Sequence, residues 1–262
     1  MIPKPDPQRP QPSRTFRNVV RFLRPIVMLM TKREWRGEEN LPESGFIAVA
    51  NHISDADPLA FIHFLVDNGV YPTILGKREL FEVPIVGRAL RACGVIPVDR
   101  GTIGARVALE AATQALAAGA CVVIYPEGTH TYDPDLWPMT AKTGAARLAV
   151  RSGAPVVPVA QWGAQKFRHP HTGKFRPWRF KSEVSAGPPV PLAEFGSDPE
   201  DYDAVRGASE KITAHLHQQL SELRGEPAPK VPYDRRLGPP DTPFQRKLQK
   251  KREERKARTA SF

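Results

Sequence analysis

Between Phe46 and Gly187 short apolar runs alternate with stretches of helical periodicity, and this alternation confines the chain to α/β architectures built on a largely parallel sheet. The runs FIAVA (46–50), YPTILG (71–76), GVIPV (94–98), CVVIY (121–125), PVVPVA (155–160) and SEVSAG (182–187) predict strands. Helices are expected over 58–68, 84–92, 103–118, 141–152 and 201–223. The expected fold class is therefore α/β: a single domain with a central, mostly parallel sheet flanked by helices. At 262 residues, 40% apolar and 25% charged, the chain can bury a core of its own and lacks the composition of an integral membrane protein.

The two ends differ from this body. Prolines cluster in IPKPDPQRPQP and EPAPKVPYDRRLGPPDTP, which hold too few apolar side chains to offset the entropy of ordering. Residues 1–13 and 225–262 are accordingly expected to be extended or disordered. Charge is just as uneven. Of the formal +10, residues 1–36 carry +7 and residues 225–262 carry +6, which leaves −3 on the body. Basic arms on a near-neutral body point to a polyanionic surface as the partner of the arms.

Residues 14–36 suggest which surface. In RTFRNVVRFLRPIVMLMTKREWRG, Arg14, Arg17, Arg21 and Arg24 alternate with Phe16, Val19, Val20, Phe22, Leu23, Ile26 and Val27 at helical spacing. That is the pattern of a basic amphipathic helix lying in a membrane interface. An ordinary amphipathic helix packed on the core has the same pattern. Arg24 cuts the apolar run well short of the ~20 residues a membrane span requires. No small-residue cleavage site precedes Lys32 and Arg33, so a signal peptide is not expected. The terminal FQRKLQKKREERKART has too few apolar residues to insert into lipid. Cys93 and Cys121 lie in apolar surroundings and form neither a disulfide framework nor a metal-ligand spacing. No Walker loop, dinucleotide fingerprint or Gly-x-Ser-x-Gly elbow is present.

Three of the expected strands end in polar clusters, NHISDAD, DRGT and PEGTHT. In open α/β sheets, ligands bind beyond the carboxyl ends of the strands. In the first cluster His52 titrates near ~6.5 in its ordinary state and suits proton removal at neutral pH. Asp57 fits the role of accepting the N–H of the other ring nitrogen, and just ahead of Pro58 it is equally suited to cap a helix. Asp55 competes with it at shorter range. Arg100 in the second cluster stands beside a helix start, which fits an anion site or, with Asp99, a surface turn. In the third, Gly128 admits a ligand close to the backbone, while Thr129 and His130 offer hydrogen bonds to phosphate oxygens. Glu127, acceptor-only when ionised, fits an arginine or a substrate hydroxyl. A plain β-turn over Pro126 to Gly128 explains the same residues.

Taken in order, these motifs resemble those of the glycerolipid acyltransferases, most closely the bacterial 1-acylglycerol-3-phosphate (lysophospholipid) acyltransferases. His52 and Asp57 fit the His-x4-Asp motif, GVIPVDR the second motif, YPEGT the third, and APVVPVA with Pro158 the fourth. The resemblance covers residues 37–190 and implies that 37–224 is an acyltransferase domain. It implies His52 as general base on the acceptor hydroxyl, oriented by Asp57, with acyl-CoA or acyl-carrier protein as donor substrate and neither cofactor nor metal. Arg100, Glu127, Gly128, Thr129 and His130 would hold the phosphate and glycerol of the acceptor. A backbone donor in the first or third motif would stabilise the oxyanion. The implied partners are a membrane lipid acceptor, the acyl donor and an anionic membrane surface rather than nucleic acid. The implied location is peripheral, on the cytoplasmic face of the cell membrane.

One position departs from the pattern. The family's third motif usually continues Glu-Gly-Thr-Arg, whereas His130 stands here in the arginine's place, with one donor when neutral and no permanent charge. An altered acceptor, such as another lysophospholipid or a glycolipid, is expected from that change. Other readings stay open: a noncatalytic lipid-binding relative, an RNA-binding protein led by its basic ends, and a metal hydrolase built on His52, His63 and the aspartates.

Overall fold

The computed structural model describes residues 10–98, 102–176 and 179–260. In chain order the elements are α1 (Arg14–Met30), β1 (Thr31–Arg36), β2 (Phe46–Ala50), α2 (Asp57–Asp67), β3 (Thr73–Lys77), α3 (Arg78–Phe81), α4 (Pro84–Ala92) and β4 (Ile96–Val98). There follow α5 (Thr102–Ala117), β5 (Cys121–Ile124), α6 (Gly144–Ser152), β6 (Val156–Trp162), β7 (Phe180–Ala186), α7 (Tyr202–Arg224) and α8 (Pro243–Ala260). The strands form one sheet in the order β1-β7-β6-β2-β5-β3-β4. From β6 to β4 all run parallel, while β7 is antiparallel to β6 and carries β1 parallel to itself. The mostly parallel α/β sheet expected from the sequence is present, with every expected strand and helix in place.

The core follows from the period of two in FIAVA. Ile47 and Val49 point to the layer containing Leu148 of α6 and Ile212 of α7, while Phe46, Ala48 and Ala50 point to Phe61, Phe64 and Leu65 of α2. All five residues of β2 are fully buried, as suits the middle strand of the sheet. Each buried Phe, Leu or Ile of this kind contributes about 1.5–3 kcal/mol.

Two expectations about the ends need correction. Residues 31–36, expected as the end of the amphipathic helix, form edge strand β1, with Trp35 opposite Val184, so the folded domain starts before Gly37. The helix stops because Thr31 turns extended and its Oγ1 donates to the Val27 carbonyl at 2.6 Å. α1 is also fixed to the body. Its Phe16 and Val20 are buried against Val66, and Asp67 accepts hydrogen bonds from Arg24, Arg33 and the Trp35 ring N–H. Val27 is buried as well, whereas Phe22, Ile26 and Leu29 face outward, Phe22 being 71% and Leu29 78% exposed. No described helix is long and apolar enough to cross a membrane.

The second correction concerns the tail. Of the disordered lead expected over 1–13, residues 1–9 lie outside the described residues, and Ser13 caps α1 by accepting from Phe16 N at 3.0 Å. The tail expected to be disordered over 225–262 instead crosses the body and ends in a helix. Tyr233 bridges to Met139, with Thr140 N donating to Tyr233 O at 2.9 Å, and Thr242 then starts α8. A handful of polar anchors holds this segment, which is why its apolar content gave no sign of order.

Candidate active site

Because β2 and β5 are neighbours, the first and third polar clusters open side by side at the carboxyl edge of the sheet. Asn51 extends the β2–β6 pairing through its side chain. Its Nδ2 donates to Gln161 O at 3.0 Å and its Oδ1 accepts from Gln161 N at 2.7 Å. The backbone is thereby fixed one residue before His52.

His52 Nδ1 lies 2.9 Å from Asp57 Oδ2. Asp57 is fully buried, and the same oxygen accepts the amide N–H of Ile53 and of Ser54. It does not cap α2, whose N-cap is Ala56; the carboxylate turns back into the 52–54 loop instead. Burial pushes the Asp57 carboxyl up to about 7, against the pull of the two amides, which favour the anion. Tyr125 stacks on one side of the His52 ring, with centroids 4.3 Å apart, and His130 meets it edge-on at 4.2 Å.

Glu127 is placed differently from the expected substrate contact. It is buried, its Oε1 accepts from His52 N at 3.2 Å, and its Oε2 accepts from Met139 N at 3.0 Å. Burial pushes its carboxyl up to about 8. The side chain is a tie between the two loops and does not line the cavity. Thr131 N reinforces the tie by donating to His52 O at 2.8 Å.

A cavity of about 1490 Å³ opens over His52. That exceeds the ~300–1,000 Å³ of ordinary small-molecule sites and leaves room for a long chain as well as a headgroup. Gly128, Thr129 and His130 line it, together with aliphatic side chains such as Ile74, Leu75, Val95 and Leu109. Arg100, with Asp99, lies outside the described residues; the strand that leads to it ends at Val98, on the cavity wall.

Among the cations on the wall, Arg168 and Lys142 come close to the first and third clusters without belonging to them. Arg168 Nε lies 3.3 Å from Asp55 Oδ2, and the other oxygen of Asp55 lies 3.4 Å from His130 Nε2. Asp55 thus gathers Arg168 and His130 rather than orienting His52. Lys142 lies over Gly128, where φ is +69° and an added Cβ would come 3.0 Å from the Lys142 Nζ. The glycine serves here to seat a lysine. Both cations come from later loops, and only the fold brings them to His52. His63, the other histidine considered for a metal, is buried on α2 with Nε2 3.5 Å from Asp67, and burial pushes its pKa down to about 4. Among the described residues no three His, Cys, Asp or Glu side chains gather as a metal site.

The geometry provides an oriented imidazole, nearby cations and a large, mostly apolar cavity, which suits proton abstraction from a hydroxyl on an amphiphile. A family model described as Acyltransferase matches residues 32–162. The chloroplastic 1-acyl-sn-glycerol-3-phosphate acyltransferase BAT2 of Brassica napus is 34% identical over 138 residues, 52% of this chain and 38% of that protein. The 1-acyl-sn-glycerol-3-phosphate acyltransferase of Borreliella burgdorferi is 34% identical over 133 residues, 50% of this chain and 51% of that one. The chain therefore spans about half or less of the length of these two curated relatives. The Bacillus subtilis enzyme of the same name is 27% identical over 190 residues, 72% of this chain and 86% of that one. Among solved structures, the 1-acyl-sn-glycerophosphate (LPA) acyltransferase PlsC of Thermotoga maritima shares the fold, with a TM-score of 0.61 at 23% identity over 82% of this chain and 81% of that one.

Proposed function

Since the chain belongs to the acyltransferase family, we propose that it is a membrane-surface O-acyltransferase that moves a fatty acyl group from acyl-CoA or acyl-carrier protein onto the hydroxyl of lysophosphatidate or a related lysolipid. The observation that carries this reading is the 2.9 Å contact of His52 Nδ1 with a buried carboxylate, on a histidine that lines a large, mostly apolar cavity.

With Nδ1 committed to Asp57, proton transfer falls to Nε2. His52 takes the proton of the acceptor hydroxyl as its oxygen attacks the thioester carbonyl. Asp57 stabilises the imidazolium. The tetrahedral intermediate then breaks its C–S bond, and His52 returns the proton to the departing thiolate. The amides of Ile53, Ser54 and Gly128 are already bound within the protein, so the oxyanion donor is assigned to the turn at Thr129, where one such bond contributes about 3 kcal/mol. Arg168, Lys142 and, from the sequence, Arg100 hold the acceptor's phosphate. α1, with Phe22, Ile26 and Leu29 outward beside Arg14, Arg17 and Arg21, rests in the membrane interface and brings the cavity to its lipid substrates.

A second reading concerns the acceptor alone. His130 in contact with Asp55 favours an acceptor that carries less charge than lysophosphatidate. The test supplies oleoyl-CoA or oleoyl-carrier protein with lysophosphatidate, lysophosphatidylcholine and a monoacyl glycolipid, and identifies the products by mass. Phosphatidate as main product supports the first reading, and preference for an uncharged or zwitterionic acceptor supports the second. No acylated product from any pairing refutes both.

A further inference from the structure

The C-terminal segment reaches the cavity, although its composition marks it as a solvated tail. Thr242 Oγ1 donates to His171 O at 2.6 Å and accepts from Gln245 N at 3.1 Å, so a single hydroxyl both caps α8 and ties it to the body. Gln245 Nε2 adds a bond to Pro170 O at 2.8 Å. Phe244 lies on the turn at Gly173, where φ is +65° and an added Cβ would come within 2.4 Å of the ring. The turn that α8 grips belongs to the loop carrying Arg168, whose carbonyl accepts from Ser54 Oγ at 3.0 Å beside His52.

Phe244 and Leu248 stand one helical turn apart, and both line the cavity, as does Gln245 between them. These are the half-buried positions of the first turns of α8; Arg246 and Lys247 on the other side are exposed. Two large apolar side chains are thus held on a cavity wall by a helix whose remaining sequence is almost wholly polar. The occupant they fit is an alkyl chain, since neither offers a hydrogen bond and Gln245 has already spent its amide on Pro170.

We propose that Phe244 and Leu248 contact the acyl chain of the substrate and help set which chain lengths the enzyme accepts, so that the C-terminal helix is part of the substrate site. This rests on the cavity being the lipid site of an acyltransferase. The first arm of the test reads binding alone. Phe244→Trp in the full-length protein adds a fluorophore to the four native tryptophans, and Leu237→Trp, at a position 72% exposed and off the cavity wall, serves as control. The ligand is lysophosphatidate with a dibrominated stearoyl chain, and bromine quenches a tryptophan that it touches. The expected result is quenching in Phe244→Trp at least twice that in wild type or Leu237→Trp, and none with the unbrominated lipid.

The second arm reads specificity. Phe244→Ala with Leu248→Ala should raise KM for stearoyl-lysophosphatidate at least fivefold more than KM for decanoyl-lysophosphatidate, whereas a merely structural role would move both alike. Quenching of the native tryptophans with none added at position 244, or equal changes in both KM values, would overturn the proposal and leave acyl transfer standing. Binding in no variant would overturn the lipid reading of the cavity and this proposal together.

Discussion

The loops after β2 and β5 each bury one carboxylate against His52, and the two have opposite roles. Asp57 holds the ring at Nδ1, whereas Glu127 holds the backbone N–H of the same residue and that of Met139. Burial lifts both carboxyls, to about 7 and about 8. Environment therefore does not separate them; what separates them is the atom each one touches. A buried carboxylate with raised proton affinity marks a candidate, and only its contact tells chemistry from scaffold.

The widest separation should appear on removing each in turn. Asp57→Asn should lower kcat about 10⁴-fold while the protein stays folded by circular dichroism, because the amide favours the wrong imidazole tautomer. Glu127→Ala should instead cost about 3 kcal/mol in urea unfolding, from two stranded amides. A Glu127 variant of full stability and no turnover would break the comparison.

Proton linkage sharpens it further. Protonation of Asp57 near 7 weakens its hold on the imidazolium, so kcat/KM should fall as pH drops through that value. Glu127 has the reverse effect on folding. Its pKa is raised from 4.5 to about 8, so the stability contributed by its proton is fully present below 4.5 and lost as pH rises through 8. Wild type should therefore unfold at lower urea at pH ~8 than at pH ~5, and Glu127→Gln should reduce that difference to the share contributed by Asp57, whose carboxyl is raised in the same direction.

The third carboxylate nearby, Asp55, is exposed and gathers Arg168 and His130 rather than His52. Arg168→Ala should raise KM for lysophosphatidate about tenfold, the weight of one charge-assisted hydrogen bond, with a smaller effect on a phosphate-free acceptor. The smallest effect belongs farthest from the site. Phe22→Ser with Leu29→Ser should reduce co-sedimentation with anionic liposomes severalfold without changing thermal stability, since neither side chain packs on the core.

What the sequence made legible was the period-two strands and the residues whose partners are close along the chain. FIAVA and its terminal His52 needed no tertiary information, and Asp57 is close enough to be tied to His52 by spacing. Glu127 could be seen as part of a cluster, but its role depends on amides at positions 52 and 139 that only the sheet brings to it. Arg168 and Lys142 were invisible for the same reason, arriving from later loops. TKREWR is a strand because β7 offers it a ladder, not because its own pattern differs from the helix before it. α8 escaped because its order comes from Thr242, Gln245 and one glycine's missing side chain, none of which registers as hydrophobic content.

The most direct measurement is thiol release from oleoyl-CoA by purified wild type and His52→Ala in the presence of lysophosphatidate, repeated with oleoyl-carrier protein as donor. Release that depends on the acceptor and falls at least a thousandfold in the folded variant is the predicted result. Equal release by both proteins, or none by wild type with either donor, would contradict the assignment of His52 as the base of an acyl transfer.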